Sequence, residues 1–247
     1  MTRLISGVGQ FRKQVFDEKK QLFEELQAGQ HPLALFITCA DSRIDPNLLT
    51  QTAPGELFVL RNAGNMVAPF GTPGGGEGAT IEYAVSHLRV RDIILCGHSR
   101  CGAMQGLLAP SAVSAMREVA EWLRVAEPAV ARAKELAPDA TPADLLEKVI
   151  EQNVLLQVEH LQSYPAVKEA ALAGKLRLHG WVYQFETGQV MAYNARTERF
   201  ISLADSPDEK LLIPVAGEAS KPSPAEAHEK SDSWWSRLRK RFWPTRR

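Results

Sequence analysis

Apolar and polar positions alternate along this chain in two rhythms. Near the start, Leu4, Val8, Phe11, Val15, Leu22, Phe23 and Leu26 recur at roughly helical spacing. They predict a helix over 4–28, stopped at Gly29. Three short apolar runs then follow, Leu33–Cys39, Glu56–Arg61 and Ile93–Cys96, which suit strands buried on both faces. Between the second and third lies the glycine-rich stretch 71–78, read as a turn before a helical pattern over 79–88. Two long helices are predicted over 111–136 and 142–172. Strands over 176–185 and 189–193 surround a turn at Thr187-Gly188. Apolar strands separated by helices predict an α/β fold, a mostly parallel central sheet with flanking helices and a late antiparallel edge strand.

Beyond this body the composition changes. Residues 216–232 are rich in Glu, Ala, Ser, Lys and Pro, a linker composition. Residues 233–247 read SWWSRLRKRFWPTRR. Three domains are therefore expected: a main domain over 1–215 with an N-terminal helical arm, a linker over 216–232 and a tail over 233–247. The whole chain has 29 basic and 29 acidic residues, but from Gly217 onward there are eight basic and four acidic. A basic end thus follows a mildly acidic body.

Residues 1–30 are polar and helix-patterned rather than a charged start followed by an apolar block, so no signal peptide is expected. No run approaches the ~18 apolar residues of a membrane span. The three cysteines, Cys39, Cys96 and Cys101, are too few for a disulfide framework. A cytoplasmic location, where thiols are free to bind metal, is the expectation.

The chemistry concentrates in Cys39-Ala-Asp41-Ser-Arg43 and Gly97-His98-Ser-Arg-Cys101-Gly102, each directly after an apolar strand. Ligands of open parallel sheets bind beyond the carboxyl ends of the strands, so neighbouring strands could deliver both motifs to one place. Two thiolates and an imidazole suit zinc. Cys96 lies inside its strand and is expected to point elsewhere. Three ligands leave a fourth position for water, whose pKa zinc lowers to about 7. Asp41 and Arg43 can form a carboxylate–guanidinium pair that orients this water, and Asp41 could swing onto the metal as a fourth ligand in a closed state. An ordinary loop salt bridge, or a helix N-cap by Asp41 or Ser42, is the competing reading of that segment. The run 71–78 lacks the lysine and spacing of a phosphate-binding P-loop.

These residues closely resemble the β-carbonic anhydrases. The family's CxDSR and GHxxCG signatures match the two motifs above, and Pro54-Gly-Glu-Leu-Phe58 and Arg61-Asn-Ala-Gly-Asn65 resemble its intervening segment. The resemblance runs from about Leu4 to Tyr193 and is strongest to the plant and cyanobacterial branch. It implies reversible hydration of carbon dioxide to bicarbonate, with one Zn2+ per subunit held by Cys39, His98 and Cys101. It implies Asp41 and Arg43 as catalytic residues and Gln30, Phe58, Tyr83 and the Gly102 N–H as substrate contacts. It further implies a pocket at a dimer interface, hence a homodimer or a higher even-numbered oligomer. The run Leu33–Thr38 lacks the tryptophan of the bicarbonate-inhibited branch, so an open site with Asp41 off the metal is expected. Ala63 departs from the larger apolar residue usual in the plant enzymes. The residues alone also allow Gln30 as a surface residue at a helix end, and Phe58 and Tyr83 as core.

Two other functions compete: a zinc-stabilised scaffold that recruits partners through its tail, and a hydrolase of a small linear substrate such as carbon disulfide. In the tail, Trp234, Trp235, Leu238 and Phe242 would share one face of a helix among Arg237, Arg239, Lys240 and Arg241. Such a helix either packs on the chain's own dimer or docks on an anionic membrane surface or a protein groove. No specific nucleic-acid partner is expected.

Overall fold

The computed structural model describes residues 1–73, 75–206 and 211–215. The linker and tail read over 216–232 and 233–247 lie outside the described residues. The helical arm is α1 (Thr2–Gln10), a π-helical turn (Phe11–Val15), α2 (Phe16–Glu18) and α3 (Lys20–Gln27). The rings of Phe11, Phe16 and Phe23 pack together with centroids 5.0 to 6.4 Å apart, whereas Leu4, Ile5 and Val8 stay exposed. Then come β1 (Ala34–Cys39), α4 (Pro46–Thr50), β2 (Leu57–Asn62), α5 (Gly76–Glu82) with a π-helical turn (Tyr83–His87), and β3 (Asp92–His98). Four helices, α6 (Gly102–Leu108), α7 (Pro110–Val113), α8 (Arg117–Leu123) and α9 (Glu127–Leu136), lead to α10 (Pro142–Leu161) and α11 (Pro165–Leu172). The chain closes with β4 (Arg177–Tyr183), β5 (Val190–Asn194) and β6 (Arg199–Ser202).

The strands form one sheet in the order β2-β1-β3-β4-β5-β6. β2, β1, β3 and β4 run parallel, and β5 and β6 are antiparallel additions. The fold class matches the expectation; β6 was not foreseen. From β1 the chain goes to β2 on one side, then crosses back to β3 on the other. The β1/β3 boundary is therefore the topological switch point.

Both predicted long helices are broken. The 111–136 region is α7, α8, a 3₁₀ turn (Arg124–Ala126) and α9. Met116 leaves the helical region at φ −104°, ψ 78°, and Pro128 sits in the first turn of α9, where its missing N–H does no harm. The 142–172 region divides before Pro165, which forces Tyr164 to an extended φ −74°, ψ 124°.

Alternation along the central strands sorts two cores. Leu35, Ile37, Ile93 and Leu95 face the larger one with Val149, Ile150, Val154 and Val158 of α10. Phe36, Ile94 and Cys96 face a smaller one with Ile44. Helix α10 lies so close to the sheet that a Cβ on Gly97 would stand 2.9 Å from Val154 Cγ2, and one on Gly180 3.0 Å from Val154 Cγ1. Glycine at these places permits the approach that ends β3 beside the buried helix.

Candidate metal centre

Cys39 ends β1 and His98 ends β3, adjacent strands at the switch point. Cys101 follows as the N-cap of α6, in extended conformation. All three are buried. Their potential ligand atoms lie within 4.8 Å of one another, the one such group among the described residues. Cys96 faces the opposite core, and burial pushes its thiol up to about 12.

The hydrogen bonds decide whether a metal fits. His98 Nδ1 lies 2.8 Å from the carbonyl oxygen of Ser99. A carbonyl only accepts, so Nδ1 carries the proton and Nε2 presents a bare lone pair. Nε2 is buried and makes no hydrogen bond among the described residues. An unpaired buried polar atom is costly, and here it faces two thiols. The Gly64 N–H donates to Cys39 Sγ at 3.3 Å. Cys39 is pulled well below the ordinary thiol range, first by the hydrogen bond from Cys101, against the opposing effect of burial, and then by the neighbouring His98 ring and by that N–H. Cys101 is pushed up because its proton is held against the Cys39 sulfur and it is buried; the N–H groups of Ala103 and Met104 act in the opposite direction. Two sulfurs that share a proton and an imidazole with an unshared lone pair are a donor set that zinc completes.

Around this group the loop is braced from outside. The Arg61 guanidinium donates to three carbonyls, Cys39 at 3.1 Å, Asp41 at 2.7 Å and Ile44 at 2.9 Å. Arg43 grips Asp41 as a fork, Nε to Oδ1 at 2.9 Å and Nη2 to Oδ2 at 2.7 Å. These bonds hold the Asp41 carboxyl well below the usual carboxylate range. Asp41 Oδ2 is 3.9 Å from His98 Nε2. The cap of α4 is Asp45, which accepts from the N–H groups of Asn47 and Leu48. The N-cap alternative for Asp41 and Ser42 is therefore not what forms.

From the other side, α10 supports the Gly64–Val67 loop through a buried polar ladder. Asn153 Nδ2 donates to the Gly64 carbonyl at 3.0 Å, and Gln157 Oε1 accepts from Val67 N–H at 2.8 Å. His160 Nδ1 donates to the Val67 carbonyl at 2.7 Å, and burial lowers its pKa to about 4. The periodicity of 142–172 marked these positions only as helix. A run of Gln, Asn, Gln and His on an apolar helix was the available signal.

A profile of the carbonic anhydrase family matches residues 34–190. The chain is 44% identical over 203 residues to a carbonic anhydrase of Synechocystis sp., covering 82% of this chain and 74% of that one. Its fold is similar to the solved structure of the β-carbonic anhydrase CcaA, with TM-score 0.80 and 44% identity over 82% of this chain and 98% of the other. It also resembles one of two tetrameric β-carbonic anhydrases of Sordaria macrospora, with TM-score 0.68 and 29% identity over 77% and 95% of the two chains. The chain belongs to the β-carbonic anhydrase family. The similarity to the cyanobacterial enzymes agrees with the branch that the motifs indicated.

The remaining expected site residues do not all converge in one protomer of this carbonic anhydrase. Gly102 does: it opens α6 next to Cys101, exposed, with an N–H that has no partner inside the helix. Phe58 pairs in register with Leu35, four residues before Cys39. That is roughly 13 Å along the strand from the metal end. Tyr83 is 44% exposed and packs on Phe58 at 5.9 Å between ring centroids. Gln30 is exposed ahead of β1, toward the same far end. Cavities of about 260 Å³ beside Leu176 and Ile213 and about 180 Å³ beside Phe70 and Tyr164 are not lined by the triad.

Proposed function

We propose that Cys39, His98 and Cys101 hold one zinc ion per subunit, at which this carbonic anhydrase interconverts carbon dioxide and bicarbonate. The observation that carries the ligand assignment is the bare, buried Nε2 of His98 facing the two cysteine sulfurs. When bound, zinc supplies the positive charge that makes water a nucleophile near neutral pH. Asp41 keeps no proton at that pH, because Arg43 holds its carboxyl so low. It acts as a fixed hydrogen-bond acceptor through Oδ2 and orients the attacking water instead of storing its proton. The same fork competes with the metal for Asp41 and favours the open site.

Gln30, Phe58 and Tyr83 serve the pocket of a second copy rather than their own. Their distance from the triad along the sheet supports this, as does the exposure of Tyr83. A two-fold dimer places the same patch of each protomer against the other's site. The tetrameric description of the Sordaria relatives supports an even-numbered assembly. The Gly102 N–H is the bicarbonate contact contributed from within the subunit. The Asp41–Arg43 fork favours an enzyme over a zinc-stabilised scaffold, because a structural zinc requires no such pair.

No helix among the described residues is long and apolar enough to cross a membrane. The test is metal analysis with stopped-flow hydration on the purified chain. The expected result is one zinc per subunit, with activity lost on chelation and restored by zinc. Full activity in metal-free protein would reject the assignment.

A further inference from the structure

The loop after β4 approaches the metal centre. Phe185 lies there, half-buried. On one side its ring meets His98, with centroids 4.9 Å apart and planes at 43°. The Arg43 guanidinium carbon stands 4.6 Å from the ring centroid. Arg43 is half-exposed, with 51% of its side chain open to solvent, and a long exposed arm loses its geometry unless its plane is held. Asp41 holds the edge of that plane; Phe185 covers its face.

The ring is itself anchored. The buried Ser99 hydroxyl accepts from the Phe185 N–H at 3.0 Å and donates to Glu186 Oε2 at 2.8 Å. Ser99 N–H donates to the Tyr183 carbonyl at 2.8 Å. Glu186 also pairs with Arg100, whose carbonyl accepts from Arg43 Nη2 at 3.3 Å. Ser99 thus ties the His98 loop to the Phe185 loop, and its own carbonyl sets the tautomer of His98.

The geometry points to Phe185 as a positioning residue that fixes the Arg43 guanidinium relative to His98 and so keeps the fork on Asp41 aligned with the metal centre. This inference rests on the catalytic reading of Asp41 and Arg43. It concerns a face of the arginine that no hydrogen bond restrains. Phe185 acts through Arg43 and touches no reacting atom.

A double-mutant cycle tests it. Phe185→Leu fills the space but removes the π face. The expected result is a kcat lowered roughly tenfold, with KM within about twofold and zinc content unchanged. Phe185→Tyr, which keeps the ring, recovers activity to within about twofold of the unaltered enzyme. In an Arg43→Ala background, Phe185→Leu has no further effect, because the group it positions is gone. An equal loss with and without Arg43, or failure of Phe185→Tyr to recover, overturns the inference. Unaltered activity in Arg43→Ala alone overturns the reading of the Asp41–Arg43 pair beneath it, a separate and recognisable result.

Discussion

The two ends of the central strands carry nearly the same side chains and put them to different uses. At the carboxyl ends, Arg43 forks onto Asp41, with His98 Nε2 3.9 Å from the carboxylate. At the opposite ends, Arg177 forks onto Asp92 at 2.7 and 2.7 Å, with His179 Nε2 only 2.7 Å from it. In the second group the imidazole is bonded to the acid and the Asp92 carboxylate takes three hydrogen bonds. In the first, the imidazole turns its proton toward a backbone carbonyl and leaves Nε2 without a hydrogen-bond partner beside two thiols. An Asp–Arg–His cluster is therefore no site in itself. The unsatisfied lone pair, aimed at groups that can share a metal with it, separates a reaction centre from a brace.

Removing a ligand breaks the comparison most severely. Cys101→Ser should lose both zinc and hydration activity, since two strong ligands are left. Metal analysis showing full occupancy in that variant would remove Cys101 from the donor set.

Matched arginine deletions sharpen it. Arg43→Ala should keep most of its zinc and lose on the order of a hundredfold in kcat, because orientation of the attacking group fails. Arg177→Ala should leave kcat within about twofold and lower stability by about 1 kcal/mol. Stopped-flow kinetics and thermal melts on the two variants decide the matter. Similar kinetic losses at both ends would mean that the two forks share one role.

The lower cluster also has a pH signature. Burial pushes the Asp92 carboxyl up, but the hydrogen bonds from His179 and Arg177 outweigh it and leave a net lowered pKa. A lowered folded pKa means stability that is present above the unfolded value of about 4 and disappears as pH falls through the folded one. Asp92→Asn should accordingly flatten the acid limb of a plot of Tm against pH below about pH 4. An unchanged acid limb would show that Asp92 adds nothing there.

The smallest effect on catalysis is expected from the tail. Deleting 233–247 should change hydration by less than about twofold, while abolishing co-sedimentation with anionic vesicles if the aromatic, basic segment docks there. Loss of the oligomer and of activity on truncation would instead assign the tail to the fold.

Much of this was legible in the chain itself. The apolar runs ending at Cys39 and Cys96 are short and bounded, so their strands and the loops beyond them follow from local pattern. Two motifs after two neighbouring strands of a parallel sheet were enough to bring Cys39, His98 and Cys101 into one group. The broken helices were less accessible. The apolar spacing over 111–136 continues across Met116, and Pro165 interrupts a pattern that periodicity alone reads as unbroken.

What only the tertiary structure decided is which polar atom meets which. His98 and His179 lie on neighbouring strands, and nothing in the sequence says that one is satisfied by Asp92 while the other keeps an Nε2 without a hydrogen-bond partner. Nor does it say that Phe185 covers Arg43 from 142 positions away, or that Phe58 and Tyr83 stand toward the far end of the sheet from the metal centre. The reason is physical. Periodicity reports which face of an element is buried, a local property of a few successive residues. Hydrogen-bond partners and ring contacts are set by the packing of segments remote in the chain, where about an ångström decides whether a nitrogen is hydrogen-bonded or left without a partner.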